Sequence, residues 1–183
     1  SKANFGVYWK GTTNTVTGDI TGNTKGEAGS LSHAVYLEGT TNTVTGNIIG
    51  NSIGSSASSS NAVYLKGTTN IVTGDITGTT NNQRAVYLEG TTTNTVTGNI
   101  TGTSTGSSIG VLLHATTQNI IGNITGTSTS AEGVYFLGAT QNITGNIDGT
   151  SVSEMGVYYN NAGGIFNLTG SIKGKSSTEY GIY

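Results

Sequence analysis

The feature that most limits what this chain can fold into is a phrase that returns along its whole length, a small residue followed by an apolar β-former. It reads GVYWKG, AVYLEG, AVYLKG, AVYLEG, GVLLHA, GVYFLG, GVYYNN and a final GIY, with its apolar anchor at Val7, Val35, Val63, Val86, Val111, Val134, Val157 and Ile182. Successive anchors are 28, 28, 23, 25, 23, 23 and 25 residues apart. A second phrase follows each of the first seven: VTGDITG, VTGNIIG, VTGDITG, VTGNITG, IIGNITG, ITGNIDG and LTGSIKG, with both glycines kept in every copy. Self-similarity of this kind means one supersecondary unit that buries its apolar face only by stacking on its neighbours.

A spacing of 23 residues is too short for helical-hairpin repeats. Each copy instead offers short, β-branched, period-2 stretches separated by Gly, Thr, Asn and Ser. The pattern predicts an all-β parallel β-helix, a β-solenoid of about seven coils of 23–28 residues forming a single domain over residues 1–183. From the second phrase's Ile to the next anchor the interval is 15 residues in the first two coils (Ile20 to Val35, Ile48 to Val63) and 10 or 11 later. Extra residues therefore gather at one turn while the strands keep register. A hydrophobic fraction of 33%, against roughly 45–50% in an ordinary globular domain, fits a thin core.

Strand parity assigns the faces. Lys10, Glu38, Lys66 and Glu89 form one solvated column of alternating sign. Tyr8, Tyr36, Tyr64 and Tyr87, two residues earlier, point out with them. The intervening Val and Leu point in. By the same rule Val16, Gly18, Ile20 and Gly22 face the interior, and Thr17, Asp19 and Thr21 the solvent.

A net charge of −2 supplies neither the basic field that nucleic acid requires nor a polybasic membrane patch. No apolar run reaches the roughly 20 residues of a membrane span, and SKANFGVYWK lacks a signal-peptide h-region. With no Cys, disulfide frameworks, thiolate metal sites and cysteine catalysis are excluded.

The phrases GVYLEG-like and VTGNITG-like, in a Thr-, Asn- and Gly-rich, Cys-poor chain, resemble the passenger domains of bacterial autotransporters and related secreted β-helical surface proteins. That resemblance implies right-handed coils, an extracellular or cell-surface location, and a stalk or adhesin role.

Hydrolases on similar scaffolds gather carboxylates from neighbouring coils. Here the column of Asp19 and Asp75 has Asn47 between them, then Asn99, Asn123, Asn146 and Ser171, so no enzyme activity is expected. Arg84 is the sole Arg and falls in a turn. His33 and His114 fall on different columns, read as solvated surface groups, and suggest neither a triad nor a metal pair. No cofactor or metal is expected.

Two surfaces remain as candidates. Exposed aromatics in a row, Tyr8, Tyr36, Tyr64, Tyr87, Tyr135, Tyr158 and Tyr183, interrupted at Leu112, offer flat faces for sugar rings or partner side chains. The second is a Thr-x-Asn/Asp-x-Thr face carrying Thr17, Thr21, Thr45, Thr73, Thr77, Thr97, Thr101 and Thr125, broken at Ile49, Ile121, Asp148 and Lys173, which resembles the hydroxyl-and-methyl arrays of ice-binding solenoids. The chain opens on GVYW and stops within another copy, GIY. This predicts either a cut from a longer solenoid or end-to-end association into a filament. The expected function is a non-enzymatic extracellular structural or adhesive solenoid whose partners are a glycan, a host or partner surface protein, or another copy. Ice binding is the alternative, and a carbohydrate-active enzyme ranks behind both.

Overall fold

The structure is a computed structural model describing residues 5–25, 32–54, 60–81, 83–161 and 163–183. All regular structure among the described residues is β, and every strand pairing is parallel. The strands form three columns, each visited once per coil. The first holds β1 (Val7–Lys10), β4 (Val35–Glu38), the leading part of β7 (Val63–Thr73) and of β9 (Val86–Thr97), β11 (Val111–His114), β14 (Val134–Leu137) and β17 (Val157–Asn160). The second holds β2 (Thr13–Thr17), β5 (Thr41–Thr45), the trailing parts of β7 and β9, β12 (Thr117–Ile121), β15 (Thr140–Thr144) and β18 (Ile165–Thr169). The third holds β3 (Ile20–Thr24), β6 (Ile48–Ser52), β8 (Ile76–Thr80), β10 (Ile100–Ser104), β13 (Ile124–Ser128), β16 (Ile147–Ser151) and β19 (Ile172–Lys175). That third column is a separate 7-stranded sheet, one strand per coil.

Equivalent residues pair across coils, as phrase length requires: Val35 with Val63, Tyr36 with Tyr64, Leu37 with Leu65, Glu38 with Lys66. The predicted interior columns are present. Val35, Val63, Val86, Val111 and Val134 are fully buried, as are Ile48, Ile76, Ile100 and Ile124, with Ile147 at 1%. Each such side chain stabilises the stack by about 1.5–3 kcal/mol through loss of water contact. The longer turns of the first two coils, residues 26–31 and 55–59, lie outside the described residues.

Glycine has two distinct reasons to recur. A Cβ on Gly22, Gly50 or Gly78 would stand 2.0–2.2 Å from the carbonyl oxygen of Ala34, Ala62 or Ala85. The third strand therefore packs backbone to backbone against the start of the next first strand, which explains the small residue before every anchor. Gly18 corrects the parity argument, for it is exposed rather than interior. It turns the corner between the second and third columns at φ 119°, and its equivalents Gly46, Gly74 and Gly98 have φ between 140° and 146°. At Gly46 a Cβ would aim along the solenoid axis, 2.3 Å from the carbonyl oxygen of Gly18 one coil away.

The interior is not wholly apolar. Asn14, Asn42, Asn70 and Asn94 are 0–2% exposed, and Gln118 and Gln141 continue their column. Asn42 Nδ2 donates to Asn70 Oδ1 at 2.8 Å and to the Lys66 carbonyl at 3.0 Å. Asn70 Nδ2 repeats this with Asn94 Oδ1 at 2.8 Å and the Glu89 carbonyl at 3.1 Å. The chain bends between first and second columns, and this polar spine satisfies the carbonyls that the bend turns inward.

Candidate binding surfaces

The tyrosine column lies on the outside of the first column, as parity predicts, but its rings are used differently from the expectation. Tyr8 stacks on Tyr36 at 5.2 Å, Tyr36 on Tyr64 at 4.9 Å and Tyr64 on Tyr87 at 4.8 Å, with interplanar angles of 10°, 8° and 3°. The ring faces are therefore spent on one another, and edges and hydroxyls meet the solvent. Leu112 interrupts the stack and is itself 3% exposed. Beyond it Tyr135 and Tyr158 resume at 4.8 Å, tilted by 31°, and Tyr183 follows Tyr158 at 5.5 Å.

The hydroxyls are tied to the charged column beside them. Tyr8 donates to Glu38 at 3.2 Å, Lys10 pairs with Glu38 at 3.3 Å, and Tyr64 donates to Glu89. Burial pushes the Tyr87 phenol up to about 12, with the Glu89 carboxylate adding to the rise. Burial, reinforced by Glu38 for Tyr36 and Glu89 for Tyr64, raises those two phenols as well. All three are neutral hydrogen-bond donors across physiological pH.

His33 also departs from the expectation of a solvated group. It is 3% exposed and packs against Tyr36 at 4.9 Å and Tyr64 at 5.2 Å. Its Nδ1 accepts the Asn61 backbone N–H at 3.1 Å, and burial lowers its pKa to about 4. His114 is exposed, as expected. Arg84 lays its guanidinium over the Tyr87 ring at 4.8 Å. The sequence signal that would have found this cluster is spacing, because His33, Asn61 and Arg84 each precede an anchor Val by two residues.

The eight threonines of the Thr-x-Asn/Asp-x-Thr pattern divide between two sheets. Thr17, Thr45, Thr73 and Thr97 close strands of the second column, whereas Thr21, Thr77, Thr101 and Thr125 lie on the third, across the glycine corner. The second column builds a more complete array than the pattern suggested. Its outward positions begin Thr13, Thr15, Thr17, then Thr41, Thr43, Thr45, then Thr69, Ile71, Thr73, then Thr93, Thr95, Thr97. Fifteen of the twenty-one outward positions over seven coils are Thr, the rest are Ile or Asn, and none is charged. Strand geometry spaces these groups about 4.8 Å along the axis and about 6.7 Å along each strand.

The Asp column ties each coil to the backbone of the next. Asp19 Oδ1 accepts the Asn47 N–H at 2.7 Å and Asp75 Oδ1 accepts the Asn99 N–H at 2.7 Å. Asn47, Asn99, Asn123 and Asn146 take the same role for the next coil. Asp148 pairs with Lys173 at 3.1 Å. Among the described residues no group of three or more His, Asp or Glu could hold a metal ion, and no helix is long and apolar enough to cross a membrane. Comparison with family models, curated proteins and solved structures finds no match.

Proposed function

We propose that this chain is a non-enzymatic extracellular β-solenoid of the stalk or adhesin kind, in line with its autotransporter-passenger resemblance, and that the outer side of its first column is the contact surface. The observation that carries this reading is the rigid aromatic patch of Tyr36, Tyr64 and Tyr87, held by mutual stacking and crowded by His33 and Arg84. A pre-ordered aromatic surface loses little side-chain entropy on binding. The engagement of Asp19 and Asp75 with backbone N–H groups supports a non-catalytic role for the carboxylates. The test is adsorption of fluorescently labelled chain to cells and to glycan-coated surfaces. Saturable retention after washing is expected, and its absence on every surface refutes the reading.

The threonine array favours a second reading, ice binding on the second column. β-Branched side chains are stiff at χ1, so the exposed methyls and hydroxyls repeat in one orientation. This reading requires thermal hysteresis or inhibition of ice recrystallisation, lost on Thr73→Tyr or Thr97→Tyr. Unshaped ice growth in concentrated protein ends it. End-to-end association with a second copy belongs to the first reading, and sedimentation as a monomer at all concentrations removes it.

A further inference from the structure

We propose that the cleft between the tyrosine stack and Arg84 binds an acidic sugar, one uronic-acid-type residue of a surface glycan. The inference rests on the adhesive reading and gives it a ligand class. The cleft encloses about 300 Å³ and is lined by His33, Asn61, Lys66 and Arg84 beside the rings of Tyr36 and Tyr64. That is the small end of ligand-site volumes, suited to one ring.

Two buried polar atoms there lack partners among the described residues. Asn61 is 3% exposed and its Oδ1 has no hydrogen bond; the Arg84 Nε–H has none either. Unpaired buried polar atoms are uncommon in folded proteins and call for a cause. A ligand that satisfies both must offer a donor to Asn61 and an acceptor to Arg84. His33 adds a second donor, because its Nδ1 accepts from Asn61 N–H and the neutral ring then carries its hydrogen on Nε2.

Charge selects among such ligands. The carboxylate of Glu38 is held by Lys10 and Tyr8 and that of Glu89 by Tyr64. Among the described residues the ion pairs are Lys10–Glu38 and Lys173–Asp148. Lys66 lies in register between Glu38 and Glu89 and acts on the Glu38 carboxylate, whereas Arg84, stacked on Tyr87, enters no ion pair among the described residues, and a guanidinium meets a carboxylate through its N–H edge. A sugar acid combines what the cleft asks for: a carboxylate for Arg84, with Lys66 beside it, a hydroxyl hydrogen for Asn61 Oδ1, and a hydroxyl oxygen for the His33 Nε2–H.

The experiment is calorimetric titration of the full chain with glucuronate, its methyl ester, glucose and inorganic phosphate, repeated on Arg84→Gln and Lys66→Met. Glucuronate alone is expected to bind, with Arg84→Gln weakening the dissociation constant about tenfold or more and β circular dichroism unchanged. Lys66, whose side chain is exposed, supplies the readout if Arg84→Gln alters the fold. Equal binding of glucuronate and its ester, binding of phosphate as tight as that of glucuronate, or binding unaffected by both substitutions overturns the proposal. A chain that adheres to cells yet takes up no glucuronate refutes this site and leaves the adhesive reading standing. A chain that does neither refutes both.

Discussion

Replacing Asn70 by Ala interrupts the buried polar spine at its centre. The substitution removes donation to the Glu89 carbonyl and to Asn94 Oδ1, and removes the acceptor for Asn42 Nδ2. Three hydrogen bonds at about 1 kcal/mol each are lost, and an orphaned buried acceptor costs about 1–3 kcal/mol more. Asn42 keeps its bond to the Lys66 carbonyl, which limits the damage above the site. The expected destabilisation is about 4–6 kcal/mol, or a melting temperature lower by roughly 8–24 °C at about 2–4 °C per kcal/mol for a chain of this size. Thr69→Ala, on the outward side of the same strand, is the control and should stay within about 0.5 kcal/mol. The assay is the thermal melt of the β circular dichroism signal. Asn70→Asp should be worse at neutral pH and recover in acid, because a carboxylate among acceptors binds its proton more tightly when folded, so stability falls as pH rises. An Asn70→Ala melt indistinguishable from that of Thr69→Ala would refute a stabilising spine.

Ile100→Asp places an unpaired carboxylate at a fully buried position and should abolish the cooperative β melt; a melt like the parent's would sink the interior assignment. Gly98→Ala forces φ 146° on a residue with a Cβ and drives that Cβ to 2.2 Å from the Gly74 carbonyl oxygen. It should lower the melting temperature by several degrees, whereas Thr97→Ala beside it should not. His33 supplies a pH dependence: its pKa is about 4 when folded against about 6.5 unfolded. The unfolded chain thus binds more protons in that window, and up to about 3 kcal/mol of stability present above pH 6.5 is lost as pH falls toward 4. Melts from pH 7 to 4.5 should show a smaller acid loss in His33→Gln than in the parent, and equal losses would refute the buried neutral state.

Most of the fold was legible because its signals are local and repeated. Phrase length set the register, and alternation placed Val35, Leu37 and Ile48 inside with Tyr36 outside. Parity breaks where the chain turns a corner: Gly18 occupies an interior slot by counting, yet its positive φ points the missing Cβ along the axis. The corner also splits Thr17 from Thr21, which contiguous reading had joined. Counting back from Val16 would have placed Asn14 inside, but a polar residue argues against burial until the inward carbonyls of the bend are known. His33, Asn61 and Arg84 each precede an anchor Val by two residues, which puts them in one file despite turns of different length; what the spacing does not show is that this file packs against the tyrosine rings and lines a cleft with them.

The most direct test of the contact surface compares binding isotherms of three chains on one glycan-bearing cell surface: the parent, Tyr36→Ser with Tyr64→Ser and Tyr87→Ser combined, and Thr45→Lys with Thr73→Lys combined. Adhesion through the first column predicts that the tyrosine variant, with its β circular dichroism intact, loses binding while the threonine variant retains it. Binding kept by the tyrosine variant and lost by the threonine variant would contradict it, and would move the working surface to the second column.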